Sequence, residues 1–485
     1  MSLLPDVRLS VEDGALGVLS SSPASVHVKL GVCSKGKPHT LLSFSRMNDL
    51  SEALGTGPLV EAAAYALSVA GGPLYVMPIR PSIEGKAGEM QVTRARKDAQ
   101  STGTLTVEGT PLDGYAVQVT LVQTGTVGES PCPAFQVSLD GGATQSLVRA
   151  VPSNGSFLVE GTGLTLKFEG NPAEFHAGDR FTFHCQAPSF GLQDLTEALQ
   201  ALGADPRLWG FLHLVGTPGG DDEEAQAQAF ASLLATVGLW MQQASKAHRF
   251  ARTILEAPRV SDKVLLSTIA TKAEARVMVA AGYATLVSPL TGQQALRSAA
   301  WPMAARAASV RLSEDLARLA SGPLSGVVSL DRDEERTPGL DAQRIATLRT
   351  LLGWPGFYIT NPNVLAPMGS DFLLWQYGRV MDEACSLARQ ALLPCLHEKL
   401  RVDSKTGFLE EKEALSLERR VEGQLRAALV QPGEVADVGV HVNRTDNLLS
   451  TRTLRVAVRV LPFAYAKFIE VSLGFKNPAL TPSES

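Results

Sequence analysis

The chain has 485 residues, 45% of them apolar and 19% charged, and its 44 Lys and Arg against 49 Asp and Glu leave a formal charge of −5. That length excludes a small disulfide scaffold and, at roughly 150 residues per domain, sets a prior of about three domains. The composition excludes a disordered chain, and the weak negative charge disfavours a surface that gathers nucleic acid.

Residues 1–22 open with Asp6-Val-Arg-Leu-Ser-Val11, in which Val7, Leu9 and Val11 alternate with polar neighbours ahead of the breaker Ser20-Ser-Ser-Pro23. This predicts an extended N-terminal arm carrying one strand. A strand at Val26–Val32, an Ala-rich helix near Leu59–Val69 and a strand at Leu74–Ile79 then make a β-α-β unit, the first part of an α/β core spanning 23–85. Glu61 and Gly71-Gly72-Pro73 interrupt the most apolar stretch, so no membrane span is expected. Residues 86–187 change to Thr-, Val- and Gly-rich alternating runs such as Tyr115–Val122 and Phe135–Leu139 with Asp140-Gly141, which predicts an inserted all-β domain of hairpins.

The helix–strand rhythm resumes over 188–355. Helices are expected at 191–202, 221–248, 262–281 and 291–308, with strands at Trp209–Val215, Ala251–Glu256 and Ala284–Ser288. Short apolar strands between helices predict a mostly parallel sheet covered by helices on both faces. The third region, 356–461, reads as an α+β domain: a helix from Asp371 to about Leu393, a charged helix at Glu410–Val430, and strands at Val435–Asn443 and Thr451–Leu461. In Leu454–Val460 the even positions are apolar, with Arg455 and Arg459 opposite, so Leu454, Val456 and Val458 face a core. A C-terminal arm, 462–485, carries a last strand at Lys467–Phe475 with Ile469, Val471, Leu473 and Phe475 on one face and Phe468, Glu470, Ser472 and Gly474 on the other.

The chemistry-bearing motifs do not assemble. Val215-Gly-Thr-Pro-Gly-Gly220 precedes a helix that opens with Asp221-Asp-Glu-Glu224, acids that suit the helix dipole and repel phosphate, and no Gly-Lys-Ser/Thr follows. His397-Glu-Lys-Leu-Arg401 lacks the second His of a zinc helix, and Gly322-Pro-Leu-Ser-Gly326 lacks the spacing of a nucleophile elbow. The five cysteines contain no Cys-x-x-Cys and read as reduced thiols. His27 and His213, in apolar strands, read as satisfied structural residues, and Asp331–Arg336 as a solvated loop. No catalytic, metal or cofactor site is expected. An amphipathic strand at each end, by contrast, must be paired or covered, either within the subunit or on a neighbour's sheet. Non-closing repetition of such a contact gives a filament.

The C-terminal third resembles tail sheath proteins of contractile phage tails and contractile injection systems. The segments that carry the resemblance are Asn363–Trp375, Gly378-Arg-Val-Met-Asp382, Asn443–Leu454 and Ala464–Pro478, with weaker support from Gly71-Gly-Pro-Leu-Tyr-Val-Met77. The resemblance implies a non-enzymatic structural subunit without cofactors. Such a subunit stacks in hexameric rings around an inner tail tube protein, with baseplate and tail terminator proteins at its ends. It binds no nucleic acid and does not itself insert into a membrane, and it resides in a virion tail or injection particle assembled in the bacterial cytoplasm. It also implies linking arms at Val7, Leu9 and Val11 and at Ile469, Val471, Leu473 and Phe475, received by a sheet containing Leu454, Val456 and Val458. The alternative from the residues alone is a cytoplasmic α/β hydrolase or transferase with a β accessory domain.

Overall fold

Five short apolar runs, covered by helices on both faces, form the parallel part of one central sheet. The computed structural model describes residues 24, 26–95, 102–220, 222–269 and 271–475; Val7, Leu9 and Val11 lie outside them. The sheet comprises β1 (His27–Gly31), β2 (Leu42–Phe44), β3 (Leu74–Pro78), β4 (Phe211–Leu214), β5 (Arg252–Glu256) and β6 (Val277–Ala280), in the spatial order β6-β5-β4-β1-β3-β2. All neighbours are parallel except the edge strand β2, which runs antiparallel to β3.

Alternation along the strands divides the core. Val28, Leu30, Leu212, Leu214, Leu255, Val277 and Val279 point to α3 (Leu192–Ala204), α4 (Glu223–Lys246) and α5 (Asp262–Ile269). On the other face Val76, Phe211, Ile254 and Met278 meet α2 (Pro58–Ala70), α6 (Ala300–Ser309) and Trp375 at the start of α7 (Trp375–Leu392). Helix α2 starts where it does because Pro58 occupies its first turn, and stops at Gly71, whose φ of 73° an L side chain would resist.

Two expected helices are corrected. The helix expected at 262–281 ends at Ile269, and Val277–Ala280 becomes the edge strand β6: an all-apolar, β-branched run gains more by pairing with β5 than by extending a helix. The helix expected at 291–308 is preceded by strand β8 (Gln294–Ser298), which pairs with β7 (Tyr283–Val287), itself paired with β9 (Val327–Leu330).

Residues 86–95 and 102–186 form antiparallel sheets around a core of their own, in which Phe135 touches Phe157 and Phe168, and Phe175 bridges Phe168 and Phe181. The Asp113 carboxylate accepts two 2.7 Å bonds from Arg297 of β8, both side chains nearly buried, and the Gln294 amide donates to Asp140 at 3.3 Å. These contacts fix the β-rich part to the α/β core.

The stretch expected as a solvated loop, Asp331–Arg336, is a loop with Asp331, Glu335 and Arg336 exposed, but its middle is tied down by ion pairs and hydrogen bonds. Arg332 bonds both Asp262 and the buried Glu334, while Asp333 accepts from Thr350 on the hairpin β10 (Leu348–Leu351) and β11 (Trp354–Ile359).

Candidate functional site

After α7 the chain builds a small platform. Helix α8 (Glu411–Leu425) continues into a wider turn over Arg426–Val430, and the antiparallel pair β12 (Asp437–Val442) and β13 (Val456–Leu461) lies across α7 and α8. Between the two strands sits the short α9 (Leu448–Thr451), started by the Asn447 side chain accepting from the Ser450 amide. Period-two alternation puts Val438, Val440 and Val442 of β12 and Val456, Val458 and Val460 of β13 against the helices. Val438 and Val442 are buried, but Leu454, Val456, Val458 and Val460 are only half-buried. Among the described residues, strand β13 pairs with β12 alone, and its apolar row is incompletely covered.

The polar side of this platform is pinned by ion pairs. Arg444 bonds both Glu411 and Glu418, and its guanidinium, first among the causes, holds the Glu418 carboxyl well below the usual carboxylate range. Asp446 receives the Arg455 amide at 2.8 Å and its guanidinium at 2.9 Å, and Arg426 reaches Asp437 at 2.8 Å. These bonds hold the loop between the strands closed over the edge of α8.

Beyond β13 the tail does not continue as the expected strand. Residues 463–475 pair with no strand among the described residues, and a ladder needs a partner. Its first part is held down instead: the Tyr377 hydroxyl donates to the Phe463 carbonyl at 2.9 Å, Tyr465 donates to the Ser313 carbonyl, and Lys467 Nζ donates to Asn361 Oδ1 at 3.0 Å. The two tyrosine rings lie 5.5 Å apart. This strap roofs a groove of about 880 Å³ lined by Arg311, Asp315, Arg349 and Asn361. From Phe468 onward the segment is exposed, with Ile469 at 78%, Val471 at 70%, Leu473 at 91% and Phe475 at 110% of full accessibility. The half-buried row Leu454, Val456 and Val458 and the exposed row from Ile469 to Phe475 thus share one molecule without touching as strands.

A second constellation lies inside the sheet. Lys29, His213 and Glu256 share one face; Lys29 Nζ is 2.7 Å from His213 Nδ1, and Glu256 accepts from Trp301 Nε1 at 2.7 Å. His213 Nε2 is 3.2 Å from Glu256 but not aligned for a hydrogen bond, and His27 Nε2 has no hydrogen-bond partner among the described residues, so these histidines are less satisfied than their place in apolar strands suggests. Burial lowers the Lys29 ammonium and raises the Glu256 carboxyl, each drawn part of the way back by the other's charge. Lys29 and His213 expose no surface, so they are not placed to meet a substrate.

The sign of that burial gives a pH dependence. A lysine whose folded pKa is depressed from 10.5 to about 7 costs stability below about 7 and ceases to cost it as pH rises through 10.5. We expect Lys29→Met to be more stable than the wild type at neutral pH, with the difference in melting temperature shrinking as pH rises from about 7 to 10. A difference that stays constant or widens would mean Lys29 is not charged at a cost in the folded state.

Among the described residues, no group of three or more His, Cys, Asp or Glu could hold a metal ion, and no helix is long and apolar enough to cross a membrane.

Residues 4–363 match a family model described as DUF2586, N-terminal domain. The chain belongs to the DUF2586 family. In fold, this DUF2586 chain is similar to a chain of the anti-feeding prophage baseplate in its contracted state, with 12% identity and a TM-score of 0.55 over 98% of this chain and 99% of that one. It is also similar to a chain of the six-fold symmetrised anti-feeding prophage baseplate, with 10% identity and a TM-score of 0.51 over 98% and 100% of the two chains. A sheath tail protein from Desulfitobacterium hafniense aligns at 11% identity and a TM-score of 0.48, over 94% of this chain and 100% of that one. Curated protein sequences give no match. Chains of a contractile baseplate are thus among the solved structures whose fold this DUF2586 protein shares, and at these identities the likeness is one of fold.

Proposed function

We propose that this DUF2586 protein is a structural subunit of a contractile tail sheath. In this reading it polymerises as stacked hexameric rings around an inner tube and contracts to drive the tube through a target envelope, within a virion tail or injection particle. The observation that carries the proposal is the pairing of an unclosed sheet edge with an unpaired apolar tail. Among the described residues, Leu454, Val456 and Val458 line an edge with no strand beside it, and Ile469, Val471, Leu473 and Phe475 form an alternating apolar row that joins no sheet. Backbone-driven strand addition satisfies both at once, and does so repeatedly when each subunit gives its tail to the next.

The fold likeness over nearly the whole chain to subunits of a contractile baseplate supports the same reading. The proposal assigns Val7, Leu9 and Val11 to a second linking arm and the stretch 86–187 to an outward-facing decoration. It names an inner tube protein, baseplate proteins and a tail terminator as the other partners. Its division of the chain is an arm at 1–22, an α/β core in two parts at 23–85 and 188–355, the β insertion between them, an α+β platform at 356–461 and an arm at 462–485. Work comes from subunit contacts, so the protein acts without a nucleotide.

Negative-stain electron microscopy of the full-length protein across a concentration series tests this. Hollow, ring-stacked tubes that appear above a threshold concentration are expected. Single subunits at every concentration, with or without an added inner tube protein, would remove the sheath assignment.

A further inference from the structure

We propose that the tail of a second copy of this chain joins β13 as an antiparallel strand in one register, fixed by Glu470 standing opposite Arg459. The inference rests on the arm-exchange reading above and adds what selects the alignment. Because side chains alternate with a period of two, placing residue 470 opposite residue 459 in an antiparallel pair sets Ile469 against Val460, Val471 against Val458, Leu473 against Val456 and Phe475 against Leu454. Four exposed apolar side chains then cover the four half-buried ones. A parallel pairing through the same two charges sets Ile469 against Val458 and Val471 against Val460 but puts Leu473 opposite Pro462, beyond the end of β13. A slip of two residues leaves one apolar pair unmade and sets Glu470 against Ala457 or Leu461.

Charge singles out the same alignment. On the outward face of β12 and β13, Asp437 is held by Arg426, His441 stands beside Glu418 and Arg455 is held by Asp446. Arg459 makes no ion pair among the described residues, and neither does Glu470, the only acid between Phe463 and Phe475. Across from Arg459 in the ladder is Gly439, with no atom within 4 Å of where a Cβ would stand, so the guanidinium has free space beside it. A slip of four residues brings Glu470 to Arg455, whose charge is already matched. Opposite charges directly across a ladder favour a register, and like charges oppose it.

The donor is a second copy because the subunit's own residues 463–467, which would form the turn of a hairpin with β13, are strapped to Tyr377, Ser313 and Asn361.

A fluorescently labelled peptide of residues 468–485, titrated by anisotropy against the full chain, tests the pair through a four-way cycle. Glu470→Arg in the peptide, or Arg459→Glu in the chain, is expected to weaken binding about three- to tenfold. The two changes together should restore it to within about twofold, with the coupling shrinking at about 0.5 M salt as screening predicts. Reversed partners that bind no better than the single changes would overturn the register pair while leaving arm exchange standing. A wild-type peptide that does not bind the wild-type chain would overturn arm exchange, and the pair with it. Tighter peptide binding when the chain's own tail carries Glu470→Arg would show a self-folded hairpin and overturn the second-copy donor.

Discussion

Deleting residues 468–485 should abolish polymerisation while leaving the melting temperature of the subunit within about 2 °C of the full chain. The two effects separate because the side chains from Phe468 to Phe475 are exposed and pair with no strand among the described residues, so their loss opens no cavity and breaks no ladder there. The cut falls after Lys467 so that the bonds from Tyr377, Tyr465 and Lys467 survive. A deletion from 462 would remove the strap as well and mix a fold effect with an assembly effect. Burying four large apolar side chains contributes roughly 1.5–3 kcal/mol each, whereas ordering eight residues of extended chain costs roughly 1–2 kcal/mol each. The two sums are of the same size, so one strand addition alone is marginal. Assembly should then show a threshold concentration, many links forming together, as measured by sedimentation. A truncated chain that forms tubes at the same threshold would discard the C-terminal arm as the linker.

Much of the frame is legible in the sequence because local patterns report it directly. Val28, Leu30, Leu212 and Leu214 lie in short apolar runs between helices, and that pattern alone implies a sheet covered on both faces. The alternation in Leu454–Val460 likewise gives the inward row of β13 residue by residue. What the patterns miss depends on partners distant in sequence. Val277–Ala280 reads as the end of a helix until β5 is placed beside it, and Leu42–Phe44 is too short to announce itself as an edge strand. Asp331–Arg336 reads as solvated because alternating charges usually are, and Asp331, Glu335 and Arg336 are exposed, yet Asp262 and Thr350, far away in sequence, tie down Arg332 and Asp333.

The same distinction governs the candidate site. The apolar row of the tail is visible in the sequence, but the strap is not, since Ser313, Asn361 and Tyr377 carry no motif and meet the tail through a main-chain carbonyl, a side-chain amide oxygen and a phenol hydroxyl. The strand expected at Lys467–Phe475 fails for a related reason: the sequence specifies the face a strand would bury but not the chain that supplies its ladder.

Replacing Asp382 with Ala should destabilise the subunit by about 3–5 kcal/mol, as removing one side of a buried ion pair does. Helix α7 lies on the sheet directly above Arg252, and the close approach exists because residue 378 is Gly: a Cβ there would stand 1.7 Å from Arg252 Cζ. The buried Arg252 guanidinium donates to the Ala275 carbonyl at 2.8 Å and lies 3.0 Å from Asp382 Oδ2, while Asp382 Oδ1 accepts from Arg276 at 2.8 Å. Arg276 retains 22% of its side-chain exposure and can turn to water when the carboxylate is lost; Arg252 cannot. Gly378→Ala should act through the same knot, forcing Arg252 off its carboxylate. If the cost is the stranded charge, Arg252→Leu combined with Asp382→Leu should recover most of the stability lost in Asp382→Ala, since apolar side chains of similar volume often replace a buried pair without loss. Chemical denaturation followed by circular dichroism separates the cases. A loss below about 1 kcal/mol for Asp382→Ala, within the range of exposed pairs, would mean that water reaches Arg252 and that α7 is held by packing alone. The segment Gly378–Asp382 would then owe its spacing to Trp375 against Phe211 and not to charge. Either way α7 is the element that ties the platform of β12 and β13 to the central sheet, so whatever fixes it also fixes where the open edge is offered to a neighbour.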